Sequence, residues 1–272
     1  MPIERLNGED IYYEDHGEGT AIAFAHGGGG SHLDWWQQVL FFTGKGYRCI
    51  TFDQRGCGFS GGGQAGTEGS ASNQGQDVFK NDLLAILDHL GVEKAHVVGM
   101  SMGGWNCSGL ALNHPERVRG LVMAGTTFGL PTPTQNKWAK WMVDQADAGV
   151  DVVGNSRKTP QQLRFREEQP QLAFLRHEFR TMFPPRSGVR GLDLYRQMAV
   201  QEPGNYSSFT VPTLFIVGED DALQFTWLMD ATAEAVPGSR LIHVPNAGHA
   251  VQYEAPDAFN EHVLGFFQSV EG

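Results

Sequence analysis

The sequence has few cysteines, no long apolar run and little positive charge. Its three cysteines, Cys49, Cys57 and Cys107, are odd in number and form no C-x-x-C pair, so neither a disulfide framework nor a metal site is expected. No apolar run reaches the roughly 18 residues of a membrane-spanning helix, and the acid-rich N-terminus lacks the apolar segment of a signal peptide. With 31 acidic against 20 basic side chains, nucleic acids and anionic membranes are not expected partners. We therefore expect a cytoplasmic protein.

Short apolar runs alternate with helical patterns along most of the 272 residues. This alternation predicts an α/β fold with a mostly parallel central sheet flanked by helices. The predicted strands are 21–25, 47–53, 95–100, 119–125, 211–217 and 240–245. The predicted helices are 77–90, 102–113 and 256–268. Most of the strands are almost continuously apolar, which predicts that both of their faces are buried.

Two stretches break the alternation. Residues 61–76 are mostly Gly, Ser and Gln, which predicts a mobile surface loop. Residues 131–209 contain helical patterns but no strand, and we interpret them as a helical cap inserted into a core domain made of 1–130 and 210–272. The apolar side chains of this cap are candidates for a substrate pocket: Trp138, Trp141, Met142, Phe165, Phe174, Phe179 and Phe183.

The cap also differs from the core in charge. Residues 131–209 carry 11 basic and 8 acidic side chains, a net charge of +3, whereas the rest of the chain carries 9 basic and 23 acidic, a net charge of −14. The favoured interpretation is that a basic cap docks on an acidic core. The alternative is that cap arginines bind an anionic substrate group. The candidates are Arg164, Arg166, Arg176, Arg180, Arg186, Arg190 and Arg196.

The pentapeptide Gly99–Gly103 (G-M-S-M-G) lies where a predicted strand ends and a helix begins. In that context G-x-S-x-G is typical of a sharp turn that exposes a nucleophilic serine above the sheet, here Ser101. The backbone N–H of Met102, directly after the serine, then becomes one donor to the oxyanion of acyl transfer. The other donor is expected from the glycine-rich loop 26–30, and we expect His26 to brace that loop.

A serine nucleophile needs a general base held by a third group. Of the ten histidines, His249 follows the last predicted strand in the small-residue loop N-A-G-H, which could bring its imidazole over Ser101. The orienting acid is expected at the end of the preceding strand, where Glu219, Asp220 and Asp221 offer three carboxylates. The order serine, acid, histidine is that of hydrolases built on an α/β sheet.

These motifs resemble the α/β-hydrolase superfamily over nearly the whole chain. They are the H-G-G-G loop at His26, the F-D-Q-R-G-C-G-F-S turn at 52–60, the serine turn, G-E-D-D and N-A-G-H. The resemblance implies an α/β-hydrolase fold with the helical cap between the sixth and seventh strands. It also implies that Asp221 is the triad acid and that the Gly28 amide is the second oxyanion donor.

Several activities are compatible with this resemblance. The 52–58 turn is similar to that of proline iminopeptidases, but Met102 replaces the tryptophan of their serine motif. The S-M-G-G and H-G-x-G segments resemble esterases, lactonases and carbon–carbon bond hydrolases of ring-cleavage products. Members of the last group carry an aromatic residue where this chain has Ala250. Dehalogenases and epoxide hydrolases use a carboxylate nucleophile, which Ser101 argues against.

We therefore expect a serine hydrolase that cleaves a small or medium apolar carboxylic ester or lactone through an acyl-enzyme. The alternatives are a carbon–carbon bond hydrolase or an aminopeptidase, a ligand-binding receptor or sensor, and a cofactor-independent oxygenase. No cofactor is expected, because Gly56-x-Gly58-x-x-Gly61 fits the dinucleotide fingerprint but opens no helix. The expected partner is a small apolar substrate, with the protein a monomer or homodimer.

Overall fold

The computed structural model describes residues 2–61, 77–156, 158–183 and 191–272. Its strands are β1 (Ile3–Leu6), β2 (Glu9–His16), β3 (Ala21–Ala25), β4 (Arg48–Phe52), β5 (Ala95–Met100), β6 (Val118–Ala124), β7 (Thr213–Gly218) and β8 (Arg240–Val244). They form one sheet in the order β1-β2-β4-β3-β5-β6-β7-β8. The pairs β1–β2 and β2–β4 are antiparallel, and the other pairs are parallel. This architecture agrees with the predicted fold class.

The six predicted strands match β3 to β8 to within two residues, but β1 and β2 were not predicted. In β2, only Ile11, Tyr12 and Tyr13 are buried, and acidic residues lie on both sides of them. β1 is largely exposed and lies at the edge of the sheet. Acidic residues are depleted in strands, so the local pattern does not indicate a strand. Pairing with β4 holds β2 in place.

The helices are α1 (Trp36–Thr43), α2 (Asp77–His89), α3 (Gly104–Asn113), α4 (Pro133–Asp147), α5 (Val152–Ser156), α6 (Pro160–Glu168), α7 (Pro170–Thr181), α8 (Gly191–Ala199), α9 (Thr226–Ala235), α10 (Val251–Glu254) and α11 (Pro256–Glu271). The three predicted helices correspond to α2, α3 and α11. A 3-10 turn, Ser101–Gly103, precedes α3. The mobile loop predicted at 61–76 lies, apart from Gly61, outside the described residues.

Helices cover both faces of the sheet, which is why its central strands are apolar on both sides. Val97 of β5 packs into a cluster with α2 and α3, whereas the next residue, Val98, packs into a cluster with α1 and α11. Side chains alternate between faces along a strand, so a strand with both faces buried has no polar alternation. The parallel strands have their carboxyl ends at one edge of this well-packed sheet. Ser101 directly follows β5 and lies at that edge.

Helices α4 to α8 lie between the sixth and seventh strands, where the cap was predicted. Trp138, Met142 and Leu194 of these helices share a cluster with Trp105 and Phe128 of the core. The cap is therefore packed on the core through apolar side chains. The bounds 131 and 209 stay a prediction. Across the described ranges, no helix has the length and apolarity needed to cross a bilayer.

Candidate active site

Ser101 lies in the turn between β5 and α3 and has a backbone φ of +49°. This left-handed conformation is strained for a residue with a Cβ. The glycines on either side allow the turn to be this tight. A Cβ at Gly99 would lie 2.5 Å from the carbonyl oxygen of Gly103, and a Cβ at Gly103 would collide with the carbonyl oxygen of Ala25. The strained turn holds Ser101 at the carboxyl edge of the sheet, as the G-x-S-x-G pattern predicted.

His249 is hydrogen-bonded to one of the three candidate acids. Nδ1 of His249 lies 2.8 Å from Oδ2 of Asp221, whose side chain is fully buried. Asp220 instead accepts a hydrogen bond from Arg164 of the cap at 2.8 Å, and Glu219 is exposed. The carboxylate of Asp221 can only accept, so Nδ1 of His249 carries the proton and Nε2 keeps its lone pair. This is the tautomer that a general base needs.

The side chain of Asp221 is held in place by backbone N–H groups of the residues that follow it. Its other oxygen, Oδ1, accepts from the backbone N–H groups of Leu223 (2.8 Å) and Gln224 (2.9 Å). One carboxylate therefore both stabilises the turn after β7 and is hydrogen-bonded to His249. Gly125 lies beside the pair, and a Cβ there would be 3.3 Å from Oδ2 of Asp221 and 3.5 Å from Nδ1 of His249.

The loop predicted to supply the second oxyanion donor adjoins the serine. A Cβ at Gly27 would lie 3.2 Å from Cβ of Ser101. The carbonyl oxygen of Gly27 accepts from the backbone N–H of Gly30 (3.1 Å) and from Nδ1 of His26 (2.8 Å). In a trans peptide the N–H points opposite to the C=O. These two donors therefore fix the direction of the Gly28 N–H.

His26 braces this loop, as the sequence indicated. Its Nε2 accepts from the backbone N–H of Gln54 at 3.0 Å, so the proton resides on Nδ1, which donates to Gly27. The side chain of Gln54 in turn donates to the carbonyl oxygen of His26. A buried histidine with both nitrogens engaged in this way is a structural support and not a second base.

The F-D-Q-R-G-C-G-F-S segment is also scaffolding. Oδ1 of Asp53 accepts from the backbone N–H of His32 (2.6 Å) and its Nδ1 (2.8 Å), and Oδ2 accepts from the N–H of Phe59 (2.8 Å). Arg55 forms a buried ion pair with Asp82, whose pKa is raised by burial. No helix begins between Gly56 and Gly61, so the dinucleotide fingerprint lacks its structural context.

The three cysteines are buried. Burial raises the pKa of the Cys49 thiol to about 12 and raises that of Cys107 further. Neither thiol is therefore a nucleophile at neutral pH. Cys57 lines the cavity above the sheet. In the part of the chain that the structure describes, no group of three or more His, Cys, Asp or Glu side chains is placed to hold a metal ion.

Ser101 and His249 line one cavity of about 1230 Å³ between the core and the cap. Of the apolar cap residues singled out in the sequence, Met142, Phe165 and Phe183 line it. The other four do not: Trp138 packs against Phe128, Trp141 and Phe174 are exposed, and Phe179 is half-buried. The pattern of apolar residues in a sequence predicts which side chains are buried. It does not predict which of the buried side chains line a cavity. Further apolar lining comes from Met102, Trp105, Phe128, Leu194, Tyr195 and Leu223.

The cap arginines mostly contact protein groups. Arg164 pairs with Asp220, Arg176 with the buried Glu254 at 3.4 Å, and Arg196 with Asp147 at 2.6 Å within the cap. Arg180 donates to the carbonyl oxygen of Gly28 at 2.7 Å. Arg166 lines the cavity, as do Arg176 and Arg180, and residues 186 and 190 lie outside the described ranges. These contacts favour the docking interpretation of the positive cap.

Glu254 is a residue that the sequence reasoning missed. Its carboxylate is 3% exposed, and it accepts from the backbone N–H groups of Gly248 (2.8 Å) and Ala250 (3.3 Å), the two neighbours of His249. The available signal was an acidic residue inside the largely apolar stretch 250–255, because a charge there is buried only with partners.

Comparison with known proteins agrees with this fold. A family model described as alpha/beta hydrolase fold matches residues 20–256. RutD of Azorhizobium caulinodans, named for carbamate hydrolysis, is 29% identical over the full length of both chains. BpoC of Mycobacterium tuberculosis, named as a non-heme bromoperoxidase, is 30% identical over 96% of this chain and 99% of its own.

Two further relatives have names that specify a reaction. A 2-hydroxy-6-oxononadienedioate/2-hydroxy-6-oxononatrienedioate hydrolase of Burkholderia vietnamiensis is 28% identical over 95% of this chain and 91% of its own. Among solved structures, that of Est816, described as an N-acyl homoserine lactone degrading enzyme, is similar with a TM-score of 0.69 and 26% identity. The match covers 97% of this chain and 99% of Est816.

Proposed function

This chain belongs to the alpha/beta hydrolase fold family, and we propose that it is a serine hydrolase that cleaves a small or medium apolar carboxylic ester or lactone. The observation that carries the proposal is the buried hydrogen bond between Asp221 and His249, with Ser101 held in a strained turn at the same cavity. A strained nucleophile and an oriented imidazole are arranged for acyl transfer and serve no evident packing purpose.

The reaction follows from the atoms at the site. Oγ of Ser101 attacks the substrate carbonyl carbon while Nε2 of His249 takes the hydroxyl proton. The resulting oxyanion is stabilised by the backbone N–H groups of Gly28 and Met102, donors of a kind whose loss costs about 10²–10³ in kcat. His249 then gives its proton to the leaving alkoxide, the C–O bond breaks and an acyl-enzyme remains. Water, deprotonated by His249, releases the acid and restores Ser101.

The lining of the cavity supports an apolar, neutral substrate. Aromatic and aliphatic side chains from core and cap line most of it, and Arg176 and Arg180 already contact protein acceptors. The similarity to Est816, a lactone-degrading enzyme, favours the same class of cyclic ester. In a lactone the leaving alkoxide stays attached to the acyl group, which needs no change in the catalytic residues.

The second candidate is hydrolysis of a carbon–carbon bond in a ring-cleavage product. It is supported by the 28% identity with the Burkholderia vietnamiensis hydrolase over nearly the whole chain. Arg166 at the cavity could receive a carboxylate of such a substrate. Ala250, where that group of enzymes carries an aromatic residue, counts against it.

One panel separates these activities. Purified protein is assayed with p-nitrophenyl esters of increasing acyl length, an N-acyl homoserine lactone, a p-nitrophenyl carbamate and a dienoate ring-cleavage product. We expect steady turnover of esters or the lactone at a rate above about 1 per second, abolished in Ser101→Ala. Faster turnover of the dienoate would favour the second candidate. Oxygen uptake during turnover would establish an oxygenase, and labelling of Ser101 without recycling would favour a receptor.

The cytoplasmic location and the monomeric or homodimeric state stay predictions. Fractionation of cells that produce the protein tests the location. Light scattering during gel filtration tests the oligomeric state.

A further inference from the structure

Cap helix α7 contacts the core at two places that matter for catalysis. Leu172, Arg176 and Arg180 follow one another at intervals of four residues, so they lie on one face of the helix. At one end this face meets the glycine-rich loop 26–30, called the oxyanion loop below. At the other end it meets α10, which follows His249. We propose that Arg176 and Arg180 are positioning residues through which the docked cap holds both catalytic loops against Ser101.

The oxyanion loop is held by Arg180. Its Nη2 donates to the carbonyl oxygen of Gly28 at 2.7 Å. The neighbouring Gly29 has a φ of +82°, and a Cβ there would lie 2.6 Å from the same Nη2. The loop therefore leaves room for the guanidinium. Since the amide of Gly28 is the proposed oxyanion donor, Arg180 and His26 fix the two peptide units on either side of Gly28.

The histidine loop is held by Arg176 through Glu254. The buried Glu254 carboxylate accepts from the amides on both sides of His249, and its Oε1 lies 3.4 Å from Nη1 of Arg176. The guanidinium also lies 5.6 Å from the centre of the Tyr253 ring. A buried carboxylate that loses its cation becomes costly to keep in place. Without Arg176, the loop that carries His249 would therefore shift.

Two more hydrogen bonds fix α7 along α10. The hydroxyl of Tyr253 donates to the carbonyl oxygen of Leu172 at 3.2 Å, and Nε2 of Gln169 donates to the carbonyl oxygen of Glu254 at 3.2 Å. These contacts hold the face of α7 that carries the two arginines against α10. The general base and the oxyanion donor thus depend on the same cap helix, although their loops are far apart in the sequence.

The inference rests on the proposed serine-hydrolase function and is tested with substitutions to Gln. Arg176→Gln and Arg180→Gln are compared with Arg196→Gln, which removes an exposed cap ion pair with Asp147 that lies away from the cavity. The substrates are p-nitrophenyl acetate and a p-nitrophenyl ester that carries a carboxylate. We expect Arg176→Gln and Arg180→Gln to lower kcat by about 10-fold to 100-fold on both esters, with KM within about twofold. Arg196→Gln should match the wild type.

A double-mutant cycle distinguishes positioning from a general loss of structure. In a Glu254→Gln background, Arg176→Gln should have little further effect, because it acts through Glu254, whereas Arg180→Gln should keep its full effect. Arg180→Lys retains a donor for Gly28 and should recover part of the rate. If a Gln variant does not fold, the corresponding Lys variant replaces it in the cycle, with a smaller loss expected.

Two results would overturn the inference, and a third would overturn the proposed function. A rise in KM confined to the carboxylated ester, with kcat on the acetate unchanged, would show that the arginines bind substrate and would overturn the inference. Wild-type kcat in both arginine variants would also overturn it. If instead the wild type neither hydrolyses esters nor is labelled at Ser101 by a phosphonate, the proposed function itself is wrong.

Discussion

Oδ2 of Asp221 accepts a hydrogen bond from Nδ1 of His249 at 2.8 Å, across 28 residues of sequence. Oδ1 of the same carboxylate accepts from two backbone amides, so Asp221 has no freedom to rotate. Because this carboxylate only accepts hydrogen bonds, Nδ1 of His249 carries the proton, which fixes the tautomer of the imidazole.

Asp221→Asn should lower kcat by about 10⁴-fold. The amide oxygen of the asparagine should take the two backbone N–H groups at the Oδ1 position, which turns its NH₂ group toward His249. Nδ1 must then accept, the proton moves to Nε2, and the imidazole can no longer take the serine proton. Steady-state kinetics on the best ester measures the loss.

Asp220→Asn is the matched control for that change. Asp220 contacts Arg164 on the cap and is partly exposed, so its loss should change kcat by less than about threefold. If Asp220→Asn were the more damaging of the two, the triad acid would have to be reassigned.

Ser101→Ala and Ser101→Gly should both abolish turnover and phosphonate labelling, but they should differ in stability. At a φ of +49° the Ala variant keeps the strain of a Cβ, and the Gly variant loses it. We expect the Gly variant to be more stable by about 1 kcal/mol, with urea denaturation as the measurement. Activity above a tenth of the wild-type rate in either variant would contradict the assignment of the nucleophile.

Gly27→Ala should lower kcat by about 100-fold with little change in folding. The added Cβ would collide with Sδ of Met100 and press on Cβ of Ser101, moving the oxyanion loop away from the serine. Gly265→Ala, on an open face of α11, is the control. It should leave kcat unchanged and stabilise the protein by about 1 kcal/mol, because alanine has the higher helix propensity. Equal activity of the two variants would argue against this position of the loop.

The free energy of unfolding should depend on pH through the buried side chain of His96. Burial lowers its pKa from the ordinary value of 6.5, against the opposing effect of Glu271. As the pH falls below about 6.5, the unfolded chain takes up a proton that the folded protein does not, so stability falls with falling pH. His96→Asn removes this contribution. The loss of unfolding free energy between pH 7.5 and 5.5 should then be smaller in the variant than in the wild type. An unchanged loss would contradict this assignment.

Much of the fold could be predicted because its determinants are local. Continuous apolar runs reveal the buried strands β3 to β8, and the helical pattern of 77–90 reveals α2. The edge strands β1 and β2 could not be predicted, because acidic residues mask their short apolar segment and only pairing with the sheet stabilises them. Apart from Phe183, which follows α7, the aromatic residues singled out in the cap lie in helices as expected. Only three of the seven apolar side chains singled out there line the cavity.

The sequence by itself determined the α/β architecture, the serine turn and the order serine, acid, histidine, since each depends on a few neighbouring residues. The residues by themselves left three adjacent carboxylates open, and only the family resemblance implied Asp221. The tertiary structure places Asp221 against His249, because the turn after β7 directs this side chain, and not its two neighbours, toward the histidine. It also places Glu254 against the backbone amides on both sides of His249, with Arg176 beside it, and Arg180 against the carbonyl oxygen of Gly28. The contact between Arg180 and Gly28 spans 152 residues, and no local pattern of charge or hydropathy specifies a contact of that range.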